Sequence, residues 1–157
     1  MELSAMSMES IVPLIRLQLE QGERSHLVVT GVSMHPTLRH CRDRVELVPP
    51  PGQLRKGDLI LYQRENGRYI LHRIVTKPHN GVFYCSGDHQ WEPEEVRENQ
   101  VIALVDAYIR GEKRIDVASL RCRLYVWLVV AGFPVRKPFL KLRAKLGKLR
   151  KLYKKRK

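Results

Sequence analysis

The sequence predicts a mainly β fold: a curled, barrel-like antiparallel sheet, with a helix before it and a basic helical tail behind it. Three observations lead there. Six short β-branched or aromatic stretches lie between His26 and Arg110, separated by turn formers. A helical period precedes them, and a second one follows Ser119. The net charge of +13 is confined to the end of the chain. All 16 acidic residues lie at or before Asp116. Residues 1–120 hold 15 Lys/Arg, so they carry 15 − 16 = −1. Residues 121–157 hold the other 14 basic residues and no acid. A near-neutral body with a cationic tail excludes reading the whole protein as a polyanion binder.

The first element is a helix in "SMESIVPLIRLQLEQG", within a segment 1–24. Ser7 or Ser10 can cap it, Pro13 is tolerated in a first turn, and Ile11, Ile15 and Leu19 recur at spacing four before Gly22 ends it. The β core spans 25–118. Its strand candidates are "HLVVT", "RVELV", "DLILYQRE", "RYILHRIV", "VFYCS" and "QVIALVDAYIR", with "KRIDV" as a last short strand. "PPPGQ", "ENG" and "KPHNG" break them, and "ENG" between two strand-like runs signals a hairpin. The C-terminal segment is 119–157. It opens with the apolar "LRCRLYVWLVVAGF". In the cationic remainder Phe139, Leu142, Leu146, Leu149 and Tyr153 follow a 3,4,3,4 spacing, as in a basic amphipathic helix.

Three cysteines without a C-x-x-C argue against a disulfide framework or a zinc site and for a reducing compartment. His35, His40 and Cys41 are close in sequence but have no second cluster at ligand spacing, so no metal or other cofactor is expected. The N-terminus has no signal-peptide pattern, and the longest mainly apolar run, 124–135, is too short to cross a bilayer. The expected location is cytoplasmic, or peripheral at the cytoplasmic membrane face.

Three features carry chemistry. In "GVSMHPTL", Gly31 frees the backbone before Ser33 and Pro36 stiffens it after Met34, which can hold the hydroxyl and its backbone N–H in a fixed, exposed loop. In "YILHRIV", a period of two puts His72 on one face with Ile70 and Ile74, an unusual place for a histidine. In "SGDHQ", Asp88 follows a strand and a glycine, where a carboxylate could reach an imidazole. Each has a plain structural alternative as a turn or core residue. Together they form a Ser–His–Asp set, in which a base takes the proton of an otherwise weak nucleophile.

The order of these stretches resembles the signal peptidase I superfamily of serine peptidases, which includes the LexA-type self-cleaving repressors. The likeness covers roughly residues 26–110. "GVSMHPTL" resembles the nucleophile box, "CRDRVEL" the following strand with Arg42 in place of a glycine, and "LRKGDLILYQ" the next strand. "YILHRIV" resembles the base box and "CSGDHQ" the last box, where His89 replaces the usual asparagine. "LHRIV" is similar to the histidine-type base of endoplasmic-reticulum and archaeal members rather than the lysine type.

The resemblance implies a peptidase core in which Ser33 is nucleophile, His72 base and Asp88 the third member, with Gly31, Met34 and Pro36 shaping the loop and the Ser33 N–H as oxyanion donor. It implies a serine endopeptidase acting on a leader or signal-like peptide. A LexA-like self-processing regulator and a non-catalytic peptide-binding module on the same scaffold are the alternatives. For residues 121–157 the expected partner is an anionic membrane surface, since the repeated leucines argue against nucleic acid.

Overall fold

In a computed structural model of the chain, residues 7–76 and 79–132 are described. The element order is α1 (Met8–Glu20), β1 (Ser25–Val28), β2 (Asp43–Val48), β3 (Leu59–Gln63), β4 (Tyr69–Ile74), β5 (Val82–Ser86), β6 (Glu94–Arg97), a 3-10 turn (Glu98–Gln100), β7 (Val101–Arg110), β8 (Lys113–Asp116) and α2 (Leu120–Ala131). The tail helix expected beyond residue 132 lies outside the described residues.

The eight strands form one antiparallel sheet in the order β1-β2-β7-β3-β4-β5-β6, with β8 paired to β7. The sheet is not closed: β1 and β6 are its ends. The ten-residue β7 organises it. Residues 104–110 pair with β2, while the other edge serves β3 at 101–104 and β8 at 107–110. The "ENG" turn joins β3 to β4. Gly67 takes φ +82°, and Arg64 and Arg68 close the hairpin with an N–H···O=C bond of 2.8 Å. The strand missing from the sequence reading is β6. In "EEVR" only Val96 is buried, so no alternation long enough to read is present.

Both faces of the central strands are covered, which is why β3 reads as an unbroken apolar run. On one face Leu59 and Leu61 join Val12, Ile15 and Leu19 of α1 together with Val45, Leu47, Ala103 and Val105. On the other, Ile60, Tyr62, Ile74, Phe83, Cys85 and Val96 form a second cluster. α1 begins at Met8, so Pro13 sits beyond the first turn expected for it. Ser7 occupies the N-cap position, and its carbonyl accepts from the N–H groups of Ser10 and Ile11.

Candidate functional site

The loop between β1 and β2 carries Ser33. It is anchored from within by Met34 (2% exposed) and Leu38 (0%), while Val32 on the other side of Ser33 is open to solvent. Gly31 has φ +93°, a conformation that favours glycine, and its N–H donates to His40 Nδ1 at 2.8 Å. Further along, the Thr37 carbonyl accepts from Arg110, itself paired with the buried Asp43. Gly31 turns the loop, Met34 anchors it, and Pro36 lines a cavity of about 320 Å³ beside it.

The turn after β5 meets this loop at Ser33. The His89 N–H donates to the Ser33 carbonyl at 2.8 Å. Gly87 lies so close that a Cβ there would stand 2.5 Å from the Ser33 carbonyl oxygen and 2.9 Å from its Cβ. No side chain fits, so glycine is a steric requirement at this contact.

His72 is in β4 and is 3% exposed. Its Nδ1 lies 3.2 Å from the Tyr62 hydroxyl and 3.2 Å from Glu94 Oε1. The Tyr62 hydroxyl donates to Glu94, so its oxygen is the acceptor available to an Nδ1–H. Arg64 grips both carboxylate oxygens, Oε2 through Nε at 2.5 Å and Oε1 through Nη2 at 2.8 Å. This arrangement selects the tautomer with the proton on Nδ1 and the lone pair on Nε2.

The electrostatics agree with a neutral ring. Burial lowers the His72 pKa, and the negative charge of Glu94 opposes it without reversing it. Burial also works against ionisation of Glu94, but the bonds from Arg64 and Tyr62 outweigh it and hold the carboxyl below its usual range. Burial and then Glu94 push the Tyr62 phenol far up, so it remains a donor.

Asp88 faces a different set of partners. Both its oxygens accept from Arg73, each at 2.9 Å, and it accepts from the Thr37 hydroxyl. Arg73 also donates to the Gly57 carbonyl at 2.8 Å, and the ion pair is almost fully buried, with side-chain exposures of 2% and 1%. The carboxylate expected to orient the imidazole thus bonds the neighbouring arginine and the Ser33 loop. Its charge acts on His72 more weakly than that of Glu94.

Strand parity explains the division. Arg73 pairs with Ser86 and Ile74 with Cys85. Gly87 follows Ser86 just beyond the end of β5. In an antiparallel pair, opposed residues point to the same face. His72 pairs with Ile60 of one core cluster and Arg73 with Leu59 of the other, and Asp88 bonds Arg73. Met34 and Leu38 of the Ser33 loop belong to the cluster that holds Leu59, and Ser33 itself meets Gly87 beyond the end of β5. Glu94 is the residue that sequence reasoning missed.

Among the described residues, no group of three or more His, Cys, Asp or Glu side chains is placed to hold a metal ion. No helix among them is long and apolar enough to cross a membrane. Compared with known proteins, the chain matches no family model and no curated protein.

Proposed function

We propose that the chain is a serine endopeptidase of the signal peptidase I kind, with a histidine base, cleaving a leader or signal-like peptide. The observation that carries this reading is His72: a buried histidine kept neutral, with Nδ1 fixed by Tyr62 and Glu94, one residue before Arg73, whose strand partner Ser86 precedes the Gly87 that Ser33 packs against. A core histidine needs only a satisfied ring. A base needs a defined tautomer, a depressed pKa and a nucleophile within reach.

The steps follow from the residues. His72 Nε2 takes the Ser33 proton as Oγ attacks a substrate carbonyl. The resulting oxyanion is stabilised by the Ser33 backbone N–H. The imidazolium is stabilised by Glu94 through Nδ1–H, and it gives its proton to the leaving amine. Water, activated by the same ring, then releases the acyl group from Ser33. Asp88 supports the loop: through Thr37 and Arg73 it ties the residues after Ser33 to β4. Residues 69–71 of β4 pair with β3 on one edge, while β5 begins its pairing with β4 only at Arg73. That edge, just before His72, suits an extended peptide added as a strand.

The test is cleavage of a mixed peptide library read by mass spectrometry. Ser33→Ala and His72→Ala are each expected to abolish cleavage with the fold retained, and the double variant to be little worse than either. Full activity in His72→Ala would show that another base is at work.

A further inference from the structure

Helix α2 is apolar on both sides, and only one side is covered by the described residues. The helix starts at Ser119, whose hydroxyl accepts from the Cys122 N–H at 3.4 Å. At about 100° per residue, Cys122, Val126, Val129 and Val130 share the inward side. Val129 and Val130 are buried, the Val126 methyl lies against Gly57, and Cys122 Sγ lies 3.7 Å from the Tyr108 hydroxyl. The opposite side presents Leu120, Leu124, Trp127 and Leu128, which are 81%, 60%, 64% and 56% exposed. Their offsets of 0, 4, 7 and 8 residues make one stripe. Arg121 and Arg123, both exposed, fall on its two flanks.

A surface helix ordinarily turns polar residues outward. What covers this stripe must be apolar and must tolerate strong positive charge. From Arg121 to Lys157 the chain holds 14 Lys/Arg and no acid. A second copy of the chain would bring the same cations against these and be repelled. A nucleic acid would neutralise the charge but leave four large apolar side chains in water. An anionic bilayer satisfies both requirements, with acyl chains beneath a layer of phosphates.

We propose that α2 docks in the interface of an anionic lipid bilayer, with Leu120, Leu124, Trp127 and Leu128 inserted and Arg121 and Arg123 at the phosphate level. Twelve residues make a helix about 18 Å long, too short to cross a bilayer and suited to lying in its plane. Tryptophan at the headgroup boundary and arginines reaching outward from an apolar stripe fit this placement. The inward side of α2 adjoins the Ser33 loop, because Pro36 and Thr37 border the same cavity as Cys122, Tyr125 and Val126. The docking does not depend on the peptidase reading, and its test reads no cleavage.

The full-length protein carrying Trp91→Phe leaves Trp127 as the single tryptophan. It is mixed with phosphatidylcholine vesicles, with or without phosphatidylglycerol. Binding is read by co-sedimentation, and the depth of Trp127 by its emission and by quenching from lipids brominated on the acyl chains. Expected are binding that requires phosphatidylglycerol and weakens with salt, a blue shift of Trp127, and quenching by the brominated lipid. The double variant Leu124→Gln, Leu128→Gln should bind roughly tenfold more weakly or worse. It should keep its melting curve, since both leucines are exposed.

Any of the following results would overturn the proposal. One is bound protein with unshifted Trp127 emission, or a double variant that binds like its parent. Another is binding to duplex DNA without binding to vesicles. The last is concentration-dependent self-association that the double variant abolishes.

Discussion

His72 and Arg73 are neighbours in β4, and each is nearly fully buried, yet they belong to different machines. His72 faces Tyr62 and Glu94. Arg73 bonds Asp88 and the Gly57 carbonyl, and Asp88 in turn accepts from Thr37. One face holds a ring neutral in a chosen tautomer. The other holds a full positive charge paired with a full negative one, and uses the pair to fasten a loop. A single step along a strand separates a group suited to proton transfer from one suited to architecture. The two carboxylates divide accordingly, with Glu94 at the imidazole and Asp88 at the guanidinium.

The sharpest way to break this division is to remove Arg73. Asp88 would be left charged and buried without its main partner. Arg73→Ala is predicted to lower stability by about 3–5 kcal/mol, as is usual for half of a buried pair. Urea unfolding measures it, and a loss below about 1 kcal/mol would mean that the pair does not hold the loop to the sheet.

Next in size is the contact between the two boxes. Gly87→Ala forces the Ser33 backbone away from a Cβ that would stand 2.5 Å from its carbonyl oxygen. A displacement near 1 Å costs roughly a hundredfold in rate, or about 2.7 kcal/mol of barrier. The measurement is kcat/KM on a cleaved peptide. Unchanged kcat/KM would separate Gly87 from the position of Ser33.

Glu94→Gln compared with Asp88→Asn distinguishes the roles directly. Removing the Glu94 charge takes away an influence that raises the His72 pKa. The acid limb of the pH–kcat/KM profile should therefore move to lower pH, with the plateau reduced roughly tenfold to a hundredfold. Asp88→Asn should lower stability more than Glu94→Gln does and move the acid limb less. The reverse pattern would return Asp88 to the imidazole.

This division shows how far the sequence could be read. The helix from Ser7, the "ENG" hairpin and the strands holding His72 and Cys85 follow from period and turn chemistry, and the structure places them within a few residues of the expected ends. The face shared by His72 with Ile70 and Ile74 was legible too, because alternation is a local property. Asp88 was assigned to the imidazole from the order of motifs, which carries no information on faces. Strand pairing supplies the parity, and pairing is non-local. Glu94 was illegible for a similar reason. It reaches His72 from β6, 22 residues along the chain, and "EEVR" buries only Val96. Barrel closure was also beyond the sequence, since it depends on whether β1 and β6 meet.

The smallest predicted effect is a pH dependence of stability. Burial depresses the His72 pKa below its usual value of 6.5. The unfolded chain therefore binds this proton at a higher pH than the folded one. The stability associated with a neutral His72 is complete above pH 6.5 and falls as pH drops from there through the folded pKa. His72→Gln should flatten that part of the curve, seen as a smaller loss of urea midpoint below pH 6.5 than in the parent protein. Parallel curves would mean that the ring is not held neutral.

The central claim is that a neutral His72 activates Ser33, and it can be tested without knowing the substrate. A fluorophosphonate reacts with an activated serine hydroxyl and adds a fixed mass to the chain. The account predicts one adduct, mapped to Ser33 by peptide mass spectrometry, formed faster as pH rises through the His72 pKa. It predicts that the adduct is lost in His72→Gln and slowed in Glu94→Gln. Absence of an adduct in the parent protein, or one that forms at the same rate in His72→Gln, would contradict it.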